Sequence, residues 1–274
     1  MTNWDAVSDA EWVARAAHSL GYSWQLMAEA GRGRTEQWDE LMVADSASPN
    51  PFMNAVTLTQ PLTDSNAESV THRLAEYFGQ RPDGGSWLLW SGWPTPDLAP
   101  LGYVLWGHPP VMVRLPGGAA PPLPHGLRIA EAQTTSDLAD IELGMVQAMP
   151  MAGLEPLLPG AMFPPALLGG PFRFWGGYLD DELVTVAAAV VGEHEIDVSF
   201  IATLPHARGK GYGAAITWAA TMADPSLPAI LEASDHGRPV YEKMGYRHVG
   251  KMALWERPRD MSNPVYSSHG SPQT

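Results

Sequence analysis

Apolar residues recur every four positions from Trp12 to Trp24, and this spacing predicts a helix over residues 9–30. Asp9 is the predicted N-cap, and Gly21 is a point at which the helix could break. A helix with one apolar face buries that face against other elements, so we expect a packing role for this helix.

Shorter apolar segments follow, and most of them have the lengths and boundaries of strands. In the first half of the chain they predict a short helix at 36–42, a strand at 53–59, a helix at 66–77, a strand at 87–90, and a hairpin or bent strand at 101–113. The last segment contains Pro109 and Pro110, which do not favour a continuous strand.

A run rich in proline, glycine and alanine at residues 116–126 is the clearest linker in the chain. We therefore predict an N-terminal domain at 1–115 and a second domain at 127–260. The tail at 261–274 is polar and is predicted to be disordered.

The second domain alternates strands and helices. The predicted elements are a strand at 127–132, a helix at 136–149, strands at 172–179, 183–191 and 196–204, a helix at 214–222 and a strand at 228–234. Asp180 and Asp181 lie between two of these strands and predict a hairpin.

Composition and charge narrow the classes of partner. The chain has 274 residues, of which 45% are hydrophobic, and its formal net charge is −14. Such acidity disfavours nucleic acid and anionic membranes as partners. It favours a cationic acceptor such as a protonated amine, or it serves solubility alone.

The chain has no cysteine, which excludes disulfides, thiolate nucleophiles and thiolate metal sites. No apolar run reaches the roughly 18 residues of a membrane span, and the first residues lack the basic start and apolar core of a secretory signal. We therefore expect a cytoplasmic protein. No spacing of histidine and acidic residues suggests a metal site.

A glycine-rich segment between the strand at 196–204 and the helix at 214–222 carries the most specific chemistry. The first amides of a helix have no partner within the helix, and the helix dipole adds partial positive charge there. Glycines let the backbone approach a phosphate, and cationic side chains add full charges. The segment has both, in the order Arg208, Gly209, Lys210, Gly211, Tyr212 and Gly213. It predicts a phosphate-binding loop.

Two common phosphate loops fit this segment less well. A Walker-type loop requires Gly-Lys-Ser/Thr, but Gly211 follows Lys210. The dinucleotide fingerprint accepts Gly209, Gly211 and Ala214, yet it belongs near the first strand of a βαβ domain, and this segment lies late in the chain.

Two signatures together resemble those of the GNAT superfamily of N-acetyltransferases. The superfamily's pyrophosphate loop is Arg/Gln-x-x-Gly-x-Gly/Ala, and it falls on Arg208, Gly211 and Gly213. The second signature is a strand, a short helix with Tyr and then Gly-Phe/Tyr, and it falls on residues 231–234, Tyr241, Gly245 and Tyr246. Two signatures in the right order are more specific than either one.

The resemblance covers residues 126–258 and implies an α/β (α+β) fold, with a mixed, mostly antiparallel sheet flanked by helices. It implies acetyl-CoA, or another acyl-CoA, as co-substrate, and no metal. The cofactor would lie in a V-shaped opening between the strands at 196–204 and 229–234. The implied contacts are backbone groups of Ile201, Ala202 and Thr203 to pantetheine, amides from Arg208 to Gly213 to pyrophosphate, and Ser234.

Acyl transfer to an amine requires a base for the amine and a proton for the departing thiolate. The resemblance assigns the second role to Tyr241, whose alternative is a core aromatic beside Met244. Glu195 and Asp197 share one face of their strand and are the preferred bases, with solvated edge charge as the alternative. Further candidates are Glu193, Ser199, Glu232, Ser234, His206 and His236.

An offset of 143 residues aligns the two halves of the chain without a gap. Between Leu88 and Arg114 it pairs seven identical residues, among them Gly102-Tyr103 with Gly245-Tyr246. We infer a partial, degenerate repeat of the same fold before the catalytic domain.

The repeat lacks the features that bind the cofactor. Opposite the glycine loop the first half has residues 65–70, which contain no glycine, and Leu98 stands opposite Tyr241. We predict that the first half binds no CoA and is a structural or acceptor-shaping half.

The wall of the acceptor site would come from the segment between the first two strands of the second domain, which is rich in apolar residues. A flexible, Met-rich wall suits a hydrophobic acceptor or a long acyl chain; ordinary core or a dimer contact is the alternative. The residues are Met145, Met149, Met151, Leu154, Leu157, Leu158, Met162, Phe163, Leu167 and Leu168.

We therefore expect an acyl-CoA-dependent N-acyltransferase with acetyl-CoA as donor. It would act on an amine of a small molecule or peptide by direct attack in a ternary complex, as a monomer or homodimer. The alternative is a non-catalytic module of the same fold that binds acyl-CoA or a partner. A third reading is CoA-dependent decarboxylation or O-acyl transfer.

Overall fold

The structure, a computed structural model, describes residues 4–81, 85–151, 153–154 and 157–259. The predicted disordered tail therefore lies outside the described residues. The α-helices are α1 (Asp9–Ala30), α2 (Ala67–Gly79), α3 (Thr135–Ala148), α4 (Tyr212–Thr221) and α5 (Arg238–Lys243). The strands are β1 (Arg34–Trp38), β2 (Leu41–Asp45), β3 (Asn54–Leu58), β4 (Trp87–Ser91), β5 (Val104–Gly107), β6 (Pro110–Arg114), β7 (Arg128–Glu131), β8 (Phe172–Leu179), β9 (Glu182–Val191), β10 (Ile196–Thr203), β11 (Ala229–Glu232), β12 (Arg247–Lys251) and β13 (Ala253–Arg257).

The strands form two mixed sheets. In the described part of the chain, the first sheet has the order β1-β2-β3-β4-β13-β5 and the second has the order β12-β6-β11-β10-β9-β8-β7. The described strand pairs are antiparallel except for β3 with β4 and β10 with β11. Helices cover the sheets, so the predicted mixed, mostly antiparallel architecture is confirmed.

Each sheet contains one strand from the other half of the chain. Strand β6 lies between β11 and β12, and β13 lies between β4 and β5. The prediction of a hairpin or bent strand at 101–113 is wrong, because β5 and β6 are separate strands that join different sheets. Pro109 and Pro110 have no N–H to continue a ladder, and the chain crosses between the sheets there.

The partial repeat is confirmed by the order of strands. The order β2-β3-β4-β13-β5 in the first sheet matches the order β9-β10-β11-β6-β12 in the second. The two exchanged strands also correspond at the offset of 143, since 110–114 becomes 253–257. The division into units 1–115 and 127–260 stays a prediction, and each unit would complete its sheet only with a strand of the other.

Helix α1 is one unbroken helix from Asp9 to Ala30. Ser8, not the predicted Asp9, is its N-cap, and its side chain accepts from the N–H of Glu11 at 3.2 Å. Gly21 does not break the helix. It allows close packing instead, because a Cβ there would lie 2.8 Å from Met42 Sδ on β2.

The predicted short helix at 36–42 is wrong. Residues 34–38 and 41–45 pair as the antiparallel strands β1 and β2. All five residues of β2 are buried, while β1 is the polar edge strand of the first sheet. Burial of the apolar strand β2 favours a hairpin with the polar strand β1 on its outer side. This stabilisation outweighs the weak helical spacing of residues 36–42.

Helix α1 lies between the two sheets. It packs on β2 and β3 of the first sheet and also on β6, β10 and β12 of the second. The approach to the second sheet is close, because a Cβ at Gly250 of β12 would lie 2.5 Å from Val13 Cγ2. Residues from α1, both sheets and α3 share one continuous apolar core.

Among the described residues, no helix combines the length and apolar character needed to span a membrane.

Candidate active site

Strands β10 and β11 are parallel, but they separate soon after they begin. Their backbone pairs are Ile196 with Ala229 and Asp197 with Ile230. Strand β10 continues to Thr203 and β11 to Glu232, so their ends flank an opening in the sheet. Leu204 N–H donates to Val184 O, and strand alternation therefore directs the backbone groups of Ile201 and Thr203 away from β9, towards the opening. Ile201 and Thr203 are two of the three positions predicted to pair with pantetheine. The third, Ala202, pairs with Val186 of β9 instead.

A β-bulge interrupts β10 at the start of this opening. Ser199 pairs with Ala188 and Ala202 pairs with Val186, so two residues of β10 face one residue of β9. One of the two is Phe200, which has φ of 51°, a rare conformation for a bulky residue. Bulges commonly lie next to active sites, where they redirect the backbone.

The ring of Phe200 is fixed by two other aromatic rings. It makes edge-on contacts with Trp24 of α1 at 5.8 Å and with Phe163 at 5.1 Å between centroids. Such pairs stabilise by roughly 1 kcal/mol beyond the burial of area, which helps to offset the strained backbone at the bulge.

The predicted phosphate loop has the backbone of an anion site. Gly209 and Gly211 have φ of 77° and 84°, and Gly211 is the N-cap of α4 without a capping side chain. Within the described residues, the N–H groups of residues 209–214 donate to no protein acceptor. A Cβ at Gly213 would lie 3.1 Å from Thr203 Oγ1, so glycine also lets the helix approach the end of β10.

The side chains of the loop have different roles. Arg208 donates through Nε to Thr203 O at 3.0 Å and through Nη2 to Ala148 O at 2.9 Å, so it ties the loop to the end of α3. Lys210 is exposed, and Tyr212 is buried in a small apolar cluster. The loop therefore offers backbone amides and the Lys210 ammonium to an anion, while Arg208 and Tyr212 hold its shape.

The corresponding positions of the first half form no such site. Strands β3 and β4 pair from Ala55–Leu88 through Thr57–Trp90, so they do not separate as β10 and β11 do. At the start of α2, the N–H groups of Asn66 and Ala67 both donate to Thr63 O.

Asp197 lies on the face of the second sheet that α1 covers. Its side chain is buried, with 2% exposure for the residue, and accepts a hydrogen bond from Ser23 Oγ of α1 at 2.5 Å. Burial raises its pKa to about 6; the Ser23 hydrogen bond opposes this shift and the nearby Glu195 charge adds to it. Asp197 is therefore a carboxyl group that can change protonation state near neutral pH.

Two more carboxyl groups lie near Asp197. Burial raises the pKa of Glu195 against the opposing charge of Arg15, whose Nη1 lies 3.7 Å from Glu195 Oε2. Burial and then the Asp197 charge raise the pKa of Glu232 well above its usual value. Glu232 is half-buried as a residue, but its Oε1 is buried and meets no donor among the described residues. The Ser199 hydroxyl is likewise buried without a partner there.

Tyr241 lies on α5, just beyond the end of β11. Its ring folds over Gly237, where a Cβ would lie 2.9 Å from the ring, and it packs beside Tyr246 at 6.0 Å between centroids. Burial raises the Tyr241 pKa to about 12, so the hydroxyl keeps its proton at neutral pH. The Tyr241 side chain packs against the apolar cluster beneath α4, where its alternative interpretation placed it, but it is only partly buried.

Other sequence candidates lie elsewhere. The Ser234 hydroxyl accepts from Gly237 N–H at 3.1 Å and so helps to begin α5. His206 Nε2 lies 3.4 Å from Glu182 on the surface, and Glu193 and His236 are exposed. Among the described residues, no three acidic or histidine side chains are arranged to hold a metal ion.

The predicted acceptor wall is organised by a buried carboxylate. Glu142 of α3 is fully buried and accepts from the N–H groups of Gly160 at 2.7 Å, Met162 at 2.6 Å and Phe163 at 3.0 Å. Met162 and Phe163 are buried in the core shared with α1, whereas Met149 and Leu158 are exposed. The wall is thus partly core and partly open surface.

The predicted linker runs along α4. Arg114 holds its start through Nη1 to Leu115 O at 3.2 Å and Nη2 to Gly117 O at 2.5 Å. Further on, the linker and α4 enclose an apolar cavity of about 270 Å³, which borders the phosphate loop at Gly211 but lies outside the opening between β10 and β11. Its lining includes Pro121, Pro122, Leu123, Pro124, Trp218 and Met222.

Solved structures of known proteins support the fold that the GNAT resemblance implied. A GCN5-related N-acetyltransferase from Kribbella flavida is similar over 90% of this chain and 95% of its own, with a TM-score of 0.67 and 18% identity. A GCN5-related N-acetyltransferase from Sphaerobacter thermophilus is similar over 74% and 71%, with a TM-score of 0.51 and 11% identity. A tandem GNAT protein from the clavulanic acid biosynthesis pathway is similar over 79% and 77%, with a TM-score of 0.50 and 12% identity.

The chain has a tandem GNAT fold. Its sequence matches no family model and none of the curated proteins. The likeness in shape is thus much stronger than the likeness in sequence, as the identities of 18% and below indicate.

Sequence reasoning missed two residues of the candidate site in this GNAT fold. Ser23 was assigned to a packing helix, although a serine on an apolar helical face, four residues after Ser19, is a signal for a buried polar contact. Glu142 lies within α3 between apolar neighbours, and a charge in that position signals a buried partner.

Proposed function

We propose that this protein is an acyl-CoA-dependent N-acyltransferase, with acetyl-CoA as donor and an amine of a small molecule or peptide as acceptor. One observation carries the proposal: strands β10 and β11 separate beside a loop whose amides, at residues 209–214, have no acceptor in the described part of the protein. A gap that exposes strand backbone, next to free amides at a helix start, suits an extended chain that ends in a diphosphate.

In this proposal the pantetheine lies in the opening and bonds to backbone groups of Ile201 and to the N–H of Thr203. The pyrophosphate lies at the amides of residues 209–213, with Lys210 adding charge. The acyl group then reaches the bulge at Phe200, on the α1 side of the sheet. The oxyanion of the tetrahedral intermediate requires a hydrogen-bond donor, and the backbone redirected at the bulge provides it.

The acceptor amine approaches from the side of Asp197, Glu195 and Glu232. An ammonium ion is attracted by these carboxyl groups and must lose a proton before it attacks. Asp197 accepts that proton, directly or through a water molecule, because its pKa of about 6 makes it mostly ionised above neutral pH.

The transfer conserves atoms and charge. The amine nitrogen, freed of its first proton by Asp197, forms a bond to the acyl carbon and loses its second proton to water, and the carbon–sulfur bond then breaks to release CoA. Tyr241 supplies a proton to the departing thiolate and recovers it from solvent, and Asp197 returns its proton to solvent. No covalent acyl-enzyme is needed, which accords with a chain without cysteine.

The two halves have different roles in this proposal. The unit at 127–260 binds the donor and carries out the transfer. The unit at 1–115 binds no CoA and contributes helix α1 to the acceptor side, since α1 packs on β10 and supplies Ser23 and Arg15.

A matched pair of glycine substitutions tests the proposal. Gly209 and Gly169 have φ of 77° and 78°, and both have open space around the position of a Cβ. Leucine at either position therefore causes the same backbone strain, but only Gly209→Leu obstructs the loop. We expect Gly209→Leu to raise the Kd for CoA by about tenfold or more in calorimetry and to slow thiol release with an amine panel, while Gly169→Leu leaves the Kd unchanged.

Two results would contradict the proposal. Equal CoA affinity in both variants would remove the loop from donor binding. Tight CoA binding by the wild-type protein without thiol release against any amine would favour the non-catalytic module instead.

A further inference from the structure

Helix α1 belongs to the half without a phosphate loop, yet it reaches the acidic face of the other half. The corresponding stretch of the second half, at the offset of 143, is 152–173, and its described residues before β8 form only a single short 3₁₀ turn. Helix α1 covers part of that face beside α3 of the second half, and its packing is close at Val13 and Gly250. Its side chains are therefore held at fixed positions above β10.

Ser23 makes the polar contact at this interface. Its hydroxyl is 2.5 Å from Asp197 Oδ2, and the two residues are 4% and 2% exposed. Among the described residues, Ser23 is the one side chain that donates to Asp197. A buried carboxyl group with a single donor depends on that donor for its orientation.

Ser23 also has a second acceptor, Ser19 O at 3.0 Å. A hydroxyl has one proton to donate and lone pairs to accept with. When Asp197 is ionised, the Ser23 proton points to the carboxylate. When Asp197 is protonated, the carboxyl proton points to Ser23 Oγ, and the Ser23 proton turns to Ser19 O. The contact therefore persists in both protonation states, as a group that gains and loses a proton in each turnover requires.

We propose that Ser23 is a positioning residue for Asp197, so that the half without a phosphate loop completes the proton acceptor of the other half. The inference rests on the proposed function. Ser23 touches neither substrate nor donor; it holds the carboxyl group in one rotamer while the ammonium proton moves to Asp197 and the amine nitrogen attacks the acyl carbon. Without Ser23 the carboxyl group loses the hydrogen bond that fixes its rotamer.

Other charged groups surround Asp197 and enter any reading of a pH profile. Glu195 precedes it on the chain and Glu232 lies on β11. Arg15 and His18 of α1 and His194 act on Glu195. A change confined to Ser23 leaves all five of these groups in place, so a shift that follows from it belongs to Asp197.

Ser23→Ala tests the inference, with Ser19→Ala as its matched control. Ser19 is a buried serine one turn earlier on α1, and its side chain makes no hydrogen bond to Asp197. The pH profile of kcat/KM is measured for both variants with acetyl-CoA and an accepted amine, and CoA affinity is measured by calorimetry. Since the Ser23 bond lowers the Asp197 pKa, we expect its loss to move the acidic limb of the profile to higher pH by about one unit.

We further expect kcat of Ser23→Ala to fall about tenfold with an unchanged Kd for CoA, and Ser23→Thr to restore it. The carbon-13 resonance of the Asp197 carboxyl group gives a second readout that does not depend on turnover, and its titration midpoint should rise in Ser23→Ala alone.

Two outcomes overturn the inference, and only the second also overturns the proposed function. If wild type turns over and Ser23→Ala has the profile and the titration midpoint of Ser19→Ala, Ser23 has no positioning role. If wild type binds no CoA, the proposed function fails, and the inference fails with it.

Discussion

Asp197 of β10 and Ile230 of β11 form the last backbone pair between these strands, and the opening begins directly beyond them. In the first half, the parallel strands β3 and β4 stay paired through Thr57 and Trp90. We therefore predict that one chain binds one equivalent of CoA. Calorimetry on the full chain measures the number of sites, and Gly209→Leu should weaken that single site. Two equivalents per chain, or a second site that survives in the loop variant, would contradict the prediction.

Asp197→Asn should raise the stability of the protein at pH 8 and lower its activity. The folded protein raises the Asp197 pKa from 3.8 to about 6, chiefly by burial. Asp197 therefore favours the folded state fully below about pH 4, and this contribution is lost as the pH rises through about 6. Asparagine cannot ionise, so we expect the variant to be more stable than wild type at pH 8, on the order of 3 kcal/mol, and equal to it near pH 4.

The same variant should lose about 100-fold or more in kcat, because the proton acceptor is gone. Urea unfolding at pH 4 and pH 8 checks the stability, and thiol release checks the rate. A variant that is less stable at pH 8 would show that the carboxylate form is the favoured one. Full activity would assign the base to Glu195 or Glu232.

Tyr241→Phe should slow the release of CoA thiolate. Burial keeps the Tyr241 hydroxyl protonated up to about pH 12, which suits a proton donor. We expect kcat to fall about 100-fold with little change in the KM for acetyl-CoA, since phenylalanine keeps the packing. Tyr246→Phe is the control. It removes a hydrogen bond to Thr221 of 2.6 Å and should cost about 1 kcal/mol of stability without slowing turnover. Equal rates in Tyr241→Phe and wild type would end the acid assignment.

Glu142→Gln should loosen the acceptor wall. The carboxylate of Glu142 accepts from three backbone N–H groups, and an amide in its place has only one oxygen to accept with. We expect a loss of about 2 kcal/mol in unfolding free energy and a raised KM for the amine, with the KM for acetyl-CoA unchanged. The control is Asp140→Asn, on the exposed side of the same helix. Similar amine KM values in the two variants would exclude a role for Glu142 in the wall.

Sequence patterns were sufficient where structure is decided locally. The turn between β8 and β9 was predicted from Asp180 and Asp181, and both have positive φ, of 48° and 65°. Helix α1 was predicted from its spacing, and the phosphate loop was placed by glycines whose backbone conformation few other residues adopt. The tandem GNAT fold followed from two signatures and an internal repeat.

The remaining features depend on contacts between distant residues. Ser23 and Asp197 are 174 positions apart, and nothing near either residue specifies the other. Strands β6 and β13 are short, largely apolar and at equivalent positions of the repeat, so their sequences do not state which sheet each one joins. The helix at 36–42 was wrong because a buried neighbouring strand overrode a weak local preference.

The strand exchange also sets the order in which the chain can finish folding. The first sheet needs residues 253–257, which leave the ribosome after almost all the other described residues. Until β13 is synthesised, β4 and β5 lack the strand that pairs with both of them. Strand β6 likewise has no partners until β11 and β12 are synthesised. The amino-terminal half cannot mature ahead of the rest during translation, and its open edges need protection in that interval.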